Sequence, residues 1–570
     1  MLNDVVAIKS RSNKMLLAFW LCFIIPFVQL IDVVLSFNVL SKGIFTDQYH
    51  GGEFFAALST ILYDKTGLYP ITIHGALDYI PGLIAVKIFG PNNYLFATGI
   101  FYNFLDFLSK IALIVLVFEL IKKKPVSILL ALGLTVAIMN FSGYRSLFLV
   151  LAIYLFFLIQ NEYGLRTRLF LEICFGLVLA FGVFWSFNRG LAGVVSLGVA
   201  AVLHAYQTRR YLVSMGVFFI SIISFGYISS YFSLENYIEN IKILIDLADG
   251  YVYTGKDSAV FFKILIGVHC FLVAILLVWS VIKDKFQIEH LANSLMMIVL
   301  LLFMYKIVSD KADRVHFVSG MLGPVIAGAY FYSRIQIEKY YILQKITSGL
   351  MLAYFLLMSR YSWFIPFMGN HTVDITFPRE LSVALILLGV FSFFQVFNRL
   401  MNTYKIYWLA LGSVLVLGMS RFILILFGLY SGQYHWADRF STLPPNVESV
   451  MKGVRWASGE LLESGTSCLF DFSSNGTING LSGLPNCTRF STLVYAAQSH
   501  EKEIIATIKK KKPKAVVYSS THWAFRINNL SMHVKFPELN NLFLKEYTEE
   551  KCQHGLCVRY LTESNYSASE

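Results

Sequence analysis

The chain has 570 residues, of which 56 % are apolar and only 14 % charged, where a soluble domain carries roughly 25 % charged residues. With a mean hydropathy of +0.62, a soluble globular protein is excluded. The net charge of +12 comes with no basic stripe interleaved with aromatics, which excludes a nucleic-acid-binding module. The excess reads as topology, because Lys and Arg gather in cytoplasmic loops.

The first apolar run, 15–37, reaches the roughly 20 residues that cross a bilayer as a helix. It lacks a small-residue cleavage site and reads as a retained span. Lys9, Arg11 and Lys14 precede it, so the N-terminus is expected in the cytoplasm and the next loop outside. That loop reads FTDQYHGGEFF and brings Asp47, His50 and Glu53 within seven residues. Titratable groups near a bilayer are costly unless they serve a function. In 51–64, Phe54, Ala57, Leu58, Ile61 and Leu62 recur on one helical face, with Glu53, Thr60 and Asp64 elsewhere. Such a helix is expected to lie in the membrane interface. A second polar cluster, His74, Gly75 and Asp78 in ITIHGALDYIPG, precedes a weaker helical pattern over 76–89. The region 38–92 is thus expected to hold a loop and two juxtamembrane helices.

The next span, about 93–120, ends on Lys122, Lys123 and Lys124. Later basic turns fall on the same side: Arg166 and Arg168, Arg209 and Arg210, Lys283 and Lys285, Arg334 and Lys339, Arg399 and Lys405. The alternation predicts an α-helical polytopic membrane protein with about 13 spans, N-terminus inside and C-terminus outside. From 432 onward hydrophobic runs shorten and turn residues appear, predicting a small extracytoplasmic α/β domain over 432–570. Strands are expected at 467–472 and 515–519. Helices are expected at 499–511 and 537–547, the latter with Pro537 in its first turn. Four of the seven cysteines lie here. An even number in an oxidising compartment predicts disulfides, Cys468–Cys487 and Cys552–Cys557. A zinc site using His554 is the rival, but the spacing matches no common zinc pattern. The run Lys509–Lys512 suits the dipole at a helix C-terminus and reads first as a solvated cap. Asn475, Asn486, Asn529 and Asn565 stand in Asn-x-Ser/Thr motifs, which matter only in a glycosylating host.

The topology collects one set of polar residues outside: Asp47, His50, Glu53, His74 and Asp78, then Asn188 and Arg189, then Asp310, Asp313, Arg314 and His316 in SDKADRVHF. Acids, histidines and arginines together suit transfer of a sugar from a lipid phosphate to an acceptor hydroxyl. The hydroxyl needs a carboxylate base, for which Asp47 and Glu53 are the candidates. The leaving phosphate needs arginine or histidine to hold it, which assigns substrate binding to His50, His74, Asp78, Arg189, Asp313, Arg314 and His316. A shelf at membrane level suits a donor whose tail stays in the bilayer. The loop has no metal-binding cluster, so metal-independent catalysis without a cofactor is expected.

The run DQYHGGEFFAALSTILYDKTGLYPITIHGALDYIPGLIAVKIFG resembles the first outer loop of GT-C membrane glycosyltransferases. ADRVHF is similar to a later motif of bacterial members, and GLPNCTRF with KPKAVVYSS to their periplasmic terminal domains. The resemblance implies a polyprenyl-phosphate-linked sugar as donor, an envelope glycan or lipid as acceptor, Asp47 as base, inversion, and residence in the cytoplasmic membrane. Gln48 follows Asp47 where many members carry paired acids, so the base stays open between Asp47 and Glu53. An O-antigen ligase or polymerase would place its main outer loop late in the chain. A lipid-linked glycan transporter or flippase would show internal repeats and polar groups at mid-depth.

Overall fold

The computed structural model describes residues 50–72, 74–89, 94–121, 143–162, 164–208, 210–229, 234–250, 258–310, 319–334, 445–493, 496–519, 526–527 and 530–562. Helix α1 (His50–Tyr63) and helix α2 (Ile80–Phe89) are followed by α3 (Tyr94–Ile121). A 3-10 turn, Tyr144–Ser146, opens α4 (Leu147–Asn161). Then come α5 (Leu165–Trp185), α6 (Phe187–Thr208), α7 (Leu212–Ser229), α8 (Leu234–Gly250), α9 (Ser258–Lys283), α10 (Ile288–Asp310) and α11 (Leu322–Arg334).

Among the described residues, six helices are long and apolar enough to cross a membrane: Tyr144–Asn161, α5, α6, α7, Lys263–Lys283 and Ile288–Ser309. The expected total of about 13 is not established, because 15–37 and 335–444 lie outside the described residues. The expected span 93–120 coincides with helix α3 within a residue, although α3 is not among these six. The helices share one apolar core, in which Phe156, Leu197, Met297, Leu300 and Ile326 are fully buried.

The two ends of this bundle differ in chemistry. At one end two of the expected basic turns, those of Arg210 and Arg334, lie together. Arg210 donates to the Ile159 carbonyl at 3.1 Å, and Arg334 approaches Glu289 at 3.9 Å. Beside them Gln160, His204 and Asn293 form one buried hydrogen-bonded group. These two turns share one end; Lys122, Lys123, Lys124, Arg209, Lys339, Arg399 and Lys405 lie outside the described residues. The opposite end carries the Tyr144 turn, the α5–α6 junction and helices α1 and α2.

The terminal domain has its own core. Helix α12 (Pro445–Ser464) is followed by α13 (Thr477–Ser482) and α14 (Glu501–Lys511). Strand β1 (Ala515–Tyr518) leads to the short pair β2 (Arg526–Ile527) and β3 (Leu530–Ser531), then α15 (Met532–Lys535) and α16 (Pro537–Glu546). The hairpin β4 (Glu549–Gln553) and β5 (Leu556–Tyr560) completes a sheet of order β1-β5-β4, antiparallel throughout. Alternation along β1 gives each face a helical layer. Ala515 and Val517 pack on Val454, Ala457 and Leu461 of α12, while Val516 packs on Ile504, Ile508, Leu539 and Phe543.

The hairpin turn His554–Gly555 has both φ angles positive, 51° and 81°, as a two-residue turn matched to strand twist requires. It brings Cys552 opposite Cys557, and the two are disulfide-bonded, as are Cys468 and Cys487. Both expected pairings are therefore present, and the hairpin sulfurs are spent on each other rather than on a metal.

Three expectations need correction. The helix Pro445–Ser464 was not foreseen; Leu-Pro-Pro reads as a turn, but its last proline opens the helix, where the missing N–H does no harm. Residues 467–472 do not form a strand, although Asp471 bridges Val517 of β1 in parallel: Phe472 N–H donates to the Val517 carbonyl and Val517 N–H to the Phe470 carbonyl, both at 2.9 Å. Helix α1 is not one-sided. Thr60, which the pattern leaves off the apolar face, is 1 % exposed, because Asn486 of the terminal domain covers it. The basic run ends α14 as expected, except that Lys511 approaches Asp64 at 3.8 Å.

Asp471 sits where the terminal segment meets β1. It accepts bonds from the main-chain N–H groups of Ser473 and Asn475. Burial nevertheless pushes its carboxyl up from 3.8 to about 6. The fold holds this proton more tightly than the unfolded chain does. The resulting stability is therefore complete below about pH 4 and lost as pH rises through about 6. Amide exchange in β1, corrected for its intrinsic pH dependence, is expected to be slower at pH 5 than at pH 7.5. In Asp471→Asn that difference is expected to vanish; if it persists, another group sets it.

Candidate active site

The segment linking α1 to α2 is bound to the α5–α6 junction by its main chain. Leu77 N–H donates to the Phe184 carbonyl at 2.9 Å, and Phe187 N–H donates to the His74 carbonyl. The contact needs glycine at 75: a Cβ there would lie 2.2 Å from the Phe184 oxygen and 2.5 Å from the Trp185 carbonyl carbon. Ala76 and Leu77 fill an apolar seat with Phe184, flanked by Ile222, Phe225 and Tyr237. Further back, Thr72 N–H donates to Asn240 Oδ1 at 3.2 Å. Asn240 Nδ2 donates to the Thr72 carbonyl at 3.4 Å, so a side-chain amide reads the main chain as a neighbouring strand would.

This docking brings three of the expected site residues to one place. Asp78 is 6 % exposed, His74 is half-buried, and Arg189 lies two residues past the Phe187 amide that holds His74. The Asp78 carboxylate is neighbour to Tyr79, whose phenol is pushed up to about 12 by burial first and by that charge second.

A second arginine lies on the turn that packs against this junction. Trp185 Nε1 donates to the Tyr144 carbonyl at 3.1 Å, and the two rings meet edge to face. Tyr144 N–H donates to Asp106 Oδ1 at 3.1 Å, Asp106 pairs with Lys110 at 2.5 Å, and Ser109 donates to the Gly143 carbonyl. Arg145, braced by the Tyr144 hydroxyl at 2.9 Å, acts electrostatically on Arg189. Like charges do not approach in a poorly solvated place unless something restrains them or an anion joins them. Here the backbone of the turn supplies the restraint. Arg189 keeps a buried Nε that has no hydrogen-bond partner among the described residues. Two guanidinium groups so placed present planar, permanently charged donors suited to a phosphate.

The sequence did not single out Arg145, Asp106 or Lys110. Two signals were available. Arg145 stands at the same end of the helices as Arg189, which the charge alternation had placed outside. Asp106 and Lys110 are four residues apart inside an apolar run, where charged side chains are costly.

The other expected residues are placed less fully. His50 begins α1 and Glu53 lies in its first turn. Asp47, Asp313, Arg314 and His316 fall outside the described residues. Two Asn-x-Thr motifs are closed to modification: Asn475 and Asn486 are 0 % and 5 % exposed.

No protein-family model and no curated protein matches this chain. It is similar to the solved structure of ArnT from Cupriavidus metallidurans bound to undecaprenyl phosphate, at 12 % identity and a TM-score of 0.48, covering 94 % of this chain and 97 % of that one. It is similar also to the apo state of that protein, at 13 % identity and a TM-score of 0.45, covering 94 % and 98 %. At this distance neither fold nor chemistry transfers by likeness, and the functional reading rests on the residues themselves.

Proposed function

We propose that the chain is a membrane glycosyltransferase, moving a sugar from a polyprenyl-phosphate donor to an acceptor hydroxyl at the outer face of the cytoplasmic membrane. The observation that carries this reading is the pair Arg145 and Arg189, held at one end of an apolar bundle where the His74–Asp78 segment docks. A phosphate anchored by an isoprenoid tail would reach such a site from the bilayer while its sugar faces the outer loop.

In this reading the carboxylate of Asp47 removes the acceptor proton, with Glu53 the alternative base. The acceptor oxygen bonds to the anomeric carbon as that carbon's bond to the phosphate oxygen breaks. The electron pair leaves on the polyprenyl phosphate. Arg189 and Arg145 hold that charge as it develops, where donors placed in advance act most strongly. One displacement inverts the anomeric centre. His50, His74, Asp78, Asp313, Arg314 and His316 are assigned to the sugar, the acceptor and the phosphate. Lys110, paired with Asp106, supports the turn that carries Arg145.

The test is made in the native host at matched protein levels, scoring envelope polysaccharide by mass. Loss of one sugar mass in Asp47→Asn supports the reading with Asp47 as base. Loss in Glu53→Gln alone moves the base to Glu53. An unchanged glycan in both variants removes the enzymatic reading and puts lipid-linked glycan transport ahead.

A further inference from the structure

The terminal domain grips helix α1 through polar contacts that admit one alignment. Asn486 Nδ2 donates to the Ala56 carbonyl at 2.8 Å and to Thr60 Oγ1 at 3.0 Å. The Asn486 main-chain N–H donates to the same hydroxyl at 3.0 Å, while Asn486 Oδ1 accepts from Asn479 Nδ2 at 3.0 Å. Ala56, Thr60, Asn479 and Asn486 are all buried. Apolar contacts tolerate sliding. Buried donors and acceptors do not, because a shift of one residue leaves them without partners.

Asn486 is itself held from behind. The adjacent Cys487 is disulfide-bonded to Cys468, Cys487 N–H donates to the Leu469 carbonyl at 2.9 Å, and Leu469 N–H donates to the Pro485 carbonyl at 2.8 Å. The same edge continues onto the linking segment. Ile71 N–H donates to the Arg489 carbonyl at 2.8 Å, and Ser491 Oγ donates to the Ile71 carbonyl at 3.1 Å. Arg489 also reaches across to Glu239 of α8 at 2.7 Å. One short edge, 486–491, thus fixes the middle of α1 and a point three residues before His74.

We propose that Asn486 is a positioning residue for sugar transfer. Through Ala56 and Thr60 it sets the rotation and height of α1, which carries His50 and Glu53, against the His74–Asp78 segment docked beside Arg189. The role rests on the transferase reading, and it touches no substrate. Displacing a reacting group by about 1 Å lowers turnover by roughly 100-fold, so a contact remote from the chemistry controls it.

The test uses the full-length protein in nanodiscs with three variants: Asn486→Ala, Thr60→Val, which removes the hydroxyl at nearly constant volume, and Thr60→Ser, which keeps it. Asn486→Ala and Thr60→Val are expected to lower kcat by about tenfold or more with donor KM within about twofold. Thr60→Ser is expected to restore wild-type turnover. Hydrogen exchange over 50–63 is expected to quicken in Asn486→Ala and Thr60→Val, with α14 unchanged. Exchange that stays slow in 50–63, or that quickens equally in α14, overturns the proposal. So does faster exchange in 50–63 with normal kcat. If the wild type transfers no sugar, the transferase reading fails and with it the role in transfer; the exchange pattern then shows separately whether Asn486 holds α1.

Discussion

Alanine at Gly75 is expected to lower sugar transfer by at least about 100-fold while the protein stays folded and inserted. The added Cβ would stand 2.2 Å from the Phe184 oxygen, far inside van der Waals contact. Neither side can yield locally. The Phe184 carbonyl is tied to Leu77 N–H, and Gly190 on the far side of the junction already meets Gly182 and Val183 so closely that a Cβ there would clash at 2.4 Å. The linking segment must therefore lift from its seat, carrying His74 and Asp78 away from Arg189. Overpacking of this kind costs about 1–3 kcal/mol, which the large core of the bundle can absorb. Gly198→Ala in α6 is the matched control: its Cβ meets open space, and alanine favours a helix by about 1 kcal/mol. That variant is expected to keep full activity. Equal activity in both variants would mean that the docked segment takes no part in transfer.

Arg189→Met is expected to lower kcat/KM for the lipid-linked donor by about 100-fold or more without lowering the thermal midpoint. The two effects separate because of what Arg189 lacks. Its Nε is buried without a hydrogen-bond partner among the described residues, and the positive charge of Arg145 disfavours it. Removing the charge relieves both costs, so stability holds or rises, as is common where a site is built for function. Arg189→Lys keeps the charge but not the planar fork, and the expected loss is intermediate, about tenfold. If Arg189→Met unfolds the protein at normal growth temperature, the guanidinium is a structural anchor and the phosphate role is wrong. Donor turnover in nanodiscs, measured beside a melting curve, decides between them.

Much of the architecture could be read because it rests on rules that act locally along the chain. Lys and Arg mark one side of a membrane, and the contacts of Arg210 and Arg334 meet at one end of the bundle. Cysteine number and compartment pointed to Cys468–Cys487 and Cys552–Cys557, and both bonds are present. Pro537 marked the start of α16 because proline in a first turn sacrifices no hydrogen bond. What escaped is tertiary. Thr60 looks solvent-facing in any periodicity reading, yet an asparagine 426 residues later covers it. Arg145 and Arg189 are 44 residues apart, and no spacing rule joins them; a tryptophan indole on a tyrosine carbonyl does. Asp106 and Lys110 were open to notice as charges inside an apolar run, and their reason emerged only with the turn at Tyr144.

The most direct measurement of the central claim is donor consumption by the purified protein. Wild type and Arg189→Met would be reconstituted with a panel of polyprenyl-phosphate-linked sugars and an envelope lipid extract as acceptor, and released polyprenyl phosphate followed with time. The account predicts release from at least one donor, dependent on the acceptor extract and lost in Arg189→Met. Donor left intact throughout, or translocated across the vesicle membrane without release of polyprenyl phosphate, would contradict it.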